Sequence, residues 1–299
     1  MIGWIIYNGQ LQSEKIYELV IWLKDTAKAY DLNLVPVKNN QLLISYDNSC
    51  QPQVQHIKDL PLPDFVISWD KDIPLARHFE KLGIRVYNSA EGILACDDKI
   101  KTYDYLANHG IASPKTIIAP MVFSNCQITD HSLYQGIVDQ LGLPLIIKEA
   151  FGSFGQQVYM VHSLEELVER VKTIGPRPHL FQEYIKASHG KDIRLNIVGD
   201  QVVTSMMRVS QEDFRANITN GGQAKAYQPS QEEIALALKC HQLLGLDFSG
   251  VDLLFSDQGP MVCEINGNPH FKSIYQCTGV DVSHHIIEYI IKDMSCKDI

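Results

Sequence analysis

Asp252, Glu264 and Asn266 stand in GVDLLFSDQGPMVCEINGNP, a stretch that reads as a strand, a turn and a second strand. With a turn over Ser256–Pro260 and no bulge, Asp252 faces Glu264 across the ladder, and Asn266 lies two residues on, on the same face. Two carboxylates placed opposite one another repel. Held there among Val251, Leu253, Leu254, Val262 and Ile265, they call for a neutralising cation. A donor set made only of oxygen suits magnesium or manganese, ions commonly shared with nucleotide phosphates.

A second constellation suits the phosphates. In PLIIKEAFGSFGQQVYMV, Lys148 ends an apolar strand, Gly152, Ser153 and Gly155 form a pliable turn, and another strand begins near Gln157. Glycine lets backbone N–H groups approach a polyphosphate, and the lysine supplies a compact positive charge. No Gly-Lys-Ser/Thr follows and the next element reads as strand, so this is a hairpin flap and not a P-loop. Lys99 is a second phosphate candidate. In the strand LFQEYI, Gln182, Glu183, Tyr184 and Ile185 can offer backbone groups to an adenine edge, while Tyr184 and Ile185 cover its face. Asp192 can bond ribose hydroxyls, and Arg194 shares its side of a strand. Arg215-Ala216-Asn217 offers a guanidinium able to grip a phosphoryl or carboxylate group with two parallel bonds, and an amide to complete a metal or phosphate shell. Taken singly, each piece also fits a plain turn, a solvated lysine or a polar loop; only their combination points to a site.

These residues need a scaffold. The 299 residues, 45% hydrophobic and 20% charged, are enough for two or three compact units. A net charge of −9 counts against a broad nucleic-acid or membrane-binding surface. No secretory opening and no membrane-length apolar run is read, so a cytoplasmic protein is expected. Seven scattered cysteines without a CxxC pair read as reduced thiols. Up to Ala95, strands MIGWIIY, LNLVPV, DFVISW and IRVYNS alternate with helices, one of them capped by Ser13, in the pattern of an open parallel sheet. The polar stretch around Pro52 to Pro63 reads as a connection, and Ser124 to His131 as a surface loop. A helix DDKIKTYDYLANHG stopping at Gly110, the flap, and a helix opening on Ser163-Leu164-Glu165-Glu166 follow. The last segment carries further strands, the helix QEEIALALKCHQLLG, the acidic hairpin and one closing helix. The first strand lacks a dinucleotide glycine fingerprint, which argues against a nicotinamide cofactor.

In this order, DKIKTYDYLANHGI, PLIIKEAFGSFGQQV, FQEYIKASHGKDIRLNIVGD, DFRANITNGG and GVDLLFSDQGPMVCEINGNPHF resemble the ATP-grasp superfamily, most closely its RimK-type carboxylate–amine ligases. The resemblance implies an α/β fold in three parts: an N-terminal domain over 1–96, a central lobe over 97–185 and a C-terminal lobe over 186–299 that clasps ATP against the central one. It implies an enzyme that joins a carboxylate to an amine through an acyl phosphate, adding an amino acid such as L-glutamate and releasing ADP and phosphate. By position, Lys99 and Lys148 match phosphate lysines, Glu183-Tyr184 the adenine hinge, Asp192 the ribose contact, and Arg215 and Asn217 an Arg-x-Asn element. Arg194 matches an arginine near the reacting groups, and Asp252, Glu264 and Asn266 match ligands for two magnesium or manganese ions. The acceptor is a small molecule, a peptide or a protein C-terminus, and a homo-oligomer fits the family. His270 stands where the family has glycine, a departure on the acceptor side. A peptide-maturation or dipeptide ligase, or a non-catalytic nucleotide-binding regulator, is the alternative.

Overall fold

The computed structural model describes residues 1–11, 13–124, 130–153, 155–217 and 221–296. The N-terminal unit runs β1 (Ile2–Tyr7), α1 (Glu14–Lys28), β2 (Asn33–Lys38), β3 (Leu42–Tyr46), β4 (Pro52–His56), β5 (Phe65–Ser68), α2 (Ile73–Lys81), β6 (Arg85–Tyr87) and α3 (Ala90–Asp97). Strands β2-β1-β5-β6 form one sheet with every pair parallel. Its central strands β1 and β5 are largely apolar because both faces are covered. Along β1, Ile5 and Tyr7 pack with Leu19, Val20 and Leu23 of α1, while Trp4 and Ile6 pack with Leu75 and Phe79 of α2. Ser13 occupies the N-cap position of α1 without a side-chain capping bond, so the apolar stripe holds that helix. The stretch read as a connection is in part a hairpin, β3 pairing antiparallel with β4. Of its residues only Leu42 and His56 are buried, too few to mark strands in the sequence.

The central unit comprises α4 (Lys99–Leu106), β7 (Thr116–Ile118), α5 (Ser132–Leu141), β8 (Leu145–Glu149), β9 (Val158–Val161), α6 (Leu164–Ile174) and β10 (His179–Glu183), with an antiparallel sheet ordered β7-β10-β8-β9. The helix expected over 97–110 is α4, shorter at both ends, and α3 before it is a helix not expected from the sequence. Asp98 leaves helical geometry, at φ −92° and ψ 106°, and its carboxylate caps α4 by accepting from the Ile100 and Lys101 amides. That helix ends at Leu106, and Gly110 lies beyond it at φ 64°. Ser163 does open α6: its hydroxyl accepts from the Glu166 amide at 3.2 Å, and Glu166 reaches back to the His162 amide at 2.7 Å. Of the loop expected over Ser124 to His131, residues 125–129 lie outside the described residues.

The last unit comprises β11 (Lys191–Val198), β12 (Gln201–Val209), β13 (Gln223–Ala226), α7 (Gln231–Leu243), β14 (Phe248–Leu254), β15 (Met261–Asn266), α8 (Lys272–Thr278) and α9 (Val282–Ser295). Its antiparallel sheet is ordered β13-β12-β11-β14-β15. Ser230 and Glu233 form a reciprocal capping box at the start of α7. The expected closing helix is α9, which Asp281 starts by accepting from the Ser283 amide; the short α8 before it ends at Gly279, at φ 73°. The first and last units share one core, in which Leu19, Leu23 and Phe65 pack with Phe248, Phe271, Ile286 and Ile290. The buried Asn88 ties them together, donating to the carbonyls of Phe248 and Gly267 and accepting from the Asp247 amide. Arg85 adds an ion pair to Asp247 at 2.5 Å.

Candidate active site

Asp252 on β14 does face Glu264 on β15, as Gly250 faces Asn266. The turn that produces this register differs from the expected one. Leu254 pairs with Met261 and Leu253 with Val262, so the register shifts between Leu253 and Asp252. The loop is therefore one residue longer than expected, and Cys263 is the extra residue of a bulge that restores the pairing. Asn266 donates to the Gly250 carbonyl at 3.4 Å.

Asp252 is fully buried among arginines. Arg194 stands opposite it on β11 and grips it with two bonds, Nε to Oδ1 at 2.6 Å and Nη2 to Oδ2 at 2.7 Å. Arg208 on β12 stands opposite Asp192, holds it the same way at 2.6 and 2.7 Å, and also reaches Asp252 Oδ2 at 2.8 Å. Burial alone would raise the pKa of Asp252, but Arg194 and Arg208 outweigh it and hold the carboxyl below its ordinary range. For Asp192 burial prevails over Arg208 and the shift is upward.

On the opposite wall, β8 and β9 form the expected flap, with Lys148 paired to Val158. Lys148 is buried, its Nζ 3.5 Å from the Cys263 carbonyl and 3.7 Å from the Cys263 sulfur. Lys99, the first residue of α4, lies 3.8 Å from Glu264; burial lowers its pKa and Glu264 opposes that shift. At the flap tip, Gly155 has φ 71° and a Cβ there would come within 3.0 Å of Asn217 Oδ1. Glycine thus permits the flap to touch the Arg215–Asn217 segment. Arg215 is folded back on Asp213 at 2.7 Å and bonds the Gly155 carbonyl. Ser153 accepts from Lys71 Nζ at 3.1 Å, a contact from the N-terminal unit. Phe154 lies outside the described residues.

One cleft joins these walls. Its polar end holds Lys99, Lys148, Gly155, Asp192, Asp252 and Glu264 with Arg215, Ala216 and Asn217; its lining also includes Glu183, Tyr184 and Ile185. Gly152 and Ser153 stay on the flap beside the cleft, Arg194 backs Asp252, and Asn266 lies two pairs along the ladder; none of the four lines it. Glu183 is fixed by accepting from the Lys115 amide at 2.6 Å, and Tyr184 bonds His189. Gln182, expected beside the hinge, lines the cleft too, and the polar or aromatic lining residues that were missed include Arg208, Cys263, Ser188, Lys191 and Phe214. A lone arginine in the strand QVVTSMMRV was the available signal for Arg208. A register shift at Asn196/Ile197 hid its partner, since counting back from the Gly199-Asp200 turn pairs Asp192 with Met207 instead.

Two carboxylates and an amide fit a hard cation through oxygen alone. Among the described residues no three of His, Cys, Asp and Glu cluster as a cage, so the donor set suits an ion whose remaining ligands are phosphates and water. No helix among the described residues is long and apolar enough to cross a membrane.

Residues 96–290 match the RimK-like ATP-grasp domain. The chain is 36% identical over 235 residues to N-acetylaspartylglutamate synthase A of Homo sapiens, covering 77% of this chain and 58% of that protein. It is 35% identical over 219 residues to a probable alpha-L-glutamate ligase of Histophilus somni (strain 129Pt), covering 72% and 70%. The chain thus spans less than two thirds of the human relative. In fold it is similar to the ATP-grasp ligase PsnB, solved with a phosphomimetic precursor variant, Mg and ADP, at a TM-score of 0.69 and 16% identity over 98% of each chain.

Proposed function

From the premise that this chain belongs to the RimK-like ATP-grasp family, we propose that it is an ATP-dependent carboxylate–amine ligase. The observation that carries the reading is the single cleft, which has cations on one wall and facing carboxylates on the other. In the proposed reaction a carboxylate oxygen attacks the γ-phosphorus of ATP and the bond to the ADP oxygen breaks. The amine nitrogen then attacks the acyl carbon, loses a proton, and expels phosphate. A carboxylate is a poor electrophile, and phosphorylation supplies the leaving group that its own oxygen cannot provide.

The chain's part is positioning and charge. Glu183, Tyr184 and Ile185 receive the base at one end of the cleft, with Asp192 toward the ribose. Lys99 and Lys148 lie where the polyphosphate would run, and the flap carrying Gly152, Ser153 and Gly155 closes over it. Arg215 exchanges Asp213 for a phosphoryl oxygen, with Asn217 beside it, and Arg194 reaches toward the reacting groups. Asp252, Glu264 and Asn266 would hold magnesium or manganese, which neutralises phosphate charge when bound. The division into 1–96, 97–185 and 186–299 belongs to the same proposal, with the first part helping to bind the acceptor.

The relatives' names supply the first substrates to try: L-glutamate as the amine and N-acetylaspartate as one carboxylate in a wider panel. Phosphate release with ATP and magnesium, followed by product mass, tests the proposal. A mass gain of one amino-acid residue supports it. Nucleotide binding without ADP formation across the panel counts against it and favours a non-catalytic role.

A further inference from the structure

Three carboxylates line the polar end of the cleft, and each already has a cation. Asp192 holds Arg208, Asp252 holds Arg194 and Arg208, and Glu264 faces Lys99. Lys148 adds a further positive charge from the opposite wall. A free divalent cation approaching this end meets no net negative charge. To reach Asp252 it must also break charge-assisted bonds of 2.6–2.8 Å.

We infer that Arg208 and Arg194 are resident counter-ions of Asp252, so that a divalent cation enters only together with a polyphosphate. This rests on the nucleotide reading of the cleft. A polyphosphate alters both obstacles, since it brings negative charge and offers acceptors to Lys99, Lys148 and Arg194. Arg208 is a positioning residue in this scheme. Its bidentate hold on Asp192 satisfies the guanidinium when Asp252 turns toward a cation, so that neither step leaves a buried charge unpaired. By linkage, cation and nucleotide raise each other's affinity by one common factor, typically about 5–150-fold.

The test is Mn2+ binding to the full chain without nucleotide, followed by calorimetry and by the resonance signal of free Mn2+. Wild type and Arg208→Lys are expected to show no saturable binding in the concentration range where Arg208→Met does. The affinity gain in Arg208→Met is about tenfold or more, from loss of one like charge within hydrogen-bonding distance of the ligand. Loss of packing alone would lower the melting temperature without creating affinity for Mn2+. Should Arg208→Met not fold, the wild-type melting temperature decides: Mn2+ alone leaves it unmoved, ADP raises it, and the two together raise it by more than the sum. Mn2+ binding to nucleotide-free wild type as tight as to Arg208→Met, or a melting shift with Mn2+ alone, overturns the inference. Neither measurement involves turnover, so failure of the ligase reading leaves these results readable.

Discussion

Asp252 and Glu264 meet across β14 and β15 because two irregularities cancel, a loop one residue longer than a bulge-free hairpin needs and a bulge at Cys263. The pair is asymmetric. Asp252 is buried and held by two guanidiniums, whereas Glu264 is partly exposed and faces Lys99 at 3.8 Å.

That asymmetry separates stability from chemistry. Glu264→Gln is expected to change unfolding free energy by less than about 1 kcal/mol and to lower kcat at least about 100-fold through lost metal charge. Asp252→Asn is expected to abolish turnover and also to destabilise by about 3 kcal/mol, because Arg194 and Arg208 lose a buried counter-charge. Denaturant unfolding and ADP formation on the same two variants check both statements. Equal destabilisation by the two would contradict them.

Lys148 predicts the opposite combination. Among the described residues its buried ammonium finds hydrogen-bond partners only in the Cys263 carbonyl and sulfur, so Lys148→Met is expected to leave the melting temperature unchanged or raised. Nucleotide affinity is expected to fall by about ten- to a hundredfold, the value of a charged hydrogen bond of about 1.5–3 kcal/mol. Calorimetry with ADP and magnesium reads the affinity; unchanged binding removes Lys148 from the phosphate site.

Stability in acid is predicted to depend on His241 of α7. It is buried, bonds Ser249 Oγ at 2.8 Å, and burial lowers its pKa from 6.5 to about 4. Between these values the unfolded chain takes up a proton that the native state refuses. The stability owed to the neutral imidazole is therefore complete above pH 6.5 and lost as pH falls toward 4, at up to about 1.4 kcal/mol per pH unit and about 3 kcal/mol in all. Urea unfolding of wild type and His241→Gln at pH 8 and pH 5 tests this: the variant is expected to lose less stability on acidification. Equal losses would contradict it.

Thiol reactivity is expected to follow burial. The six described cysteines are free, with Cys50 and Cys296 exposed. Burial pushes Cys240 up to about 12 and raises Cys96 and Cys263 as well, leaving little thiolate to react. Alkylation followed by peptide mass is expected to label Cys50 and Cys296 first. Cys263, which lines the cleft, is expected to label slowly and more slowly still with ADP and magnesium; labelling indifferent to nucleotide would place it outside the binding site.

What the sequence disclosed and what it hid divide along physical lines. Local chemistry was legible: the apolar strand before Lys148, the glycines of the flap, the Ser163 cap and the acidic residues of β14 and β15. Register was legible only in part. The Asp252–Glu264 pairing was right although the assumed turn was not, and the Asp192–Arg208 pairing was hidden by a shift at Asn196/Ile197. The β3–β4 hairpin was missed because it buries almost nothing, and the helix expected from Asp97 starts two residues later because Asp98 is its N-cap. The second partner of Arg208 is a tertiary fact, produced by three strands meeting in one sheet.

The central claim is that a substrate carboxylate becomes an acyl phosphate. Turnover with a carboxylate acceptor labelled in both oxygens with oxygen-18, followed by mass analysis of the inorganic phosphate, tests it most directly. One labelled oxygen in each phosphate released alongside ADP is the predicted result. Unlabelled phosphate, or AMP with pyrophosphate, would contradict it.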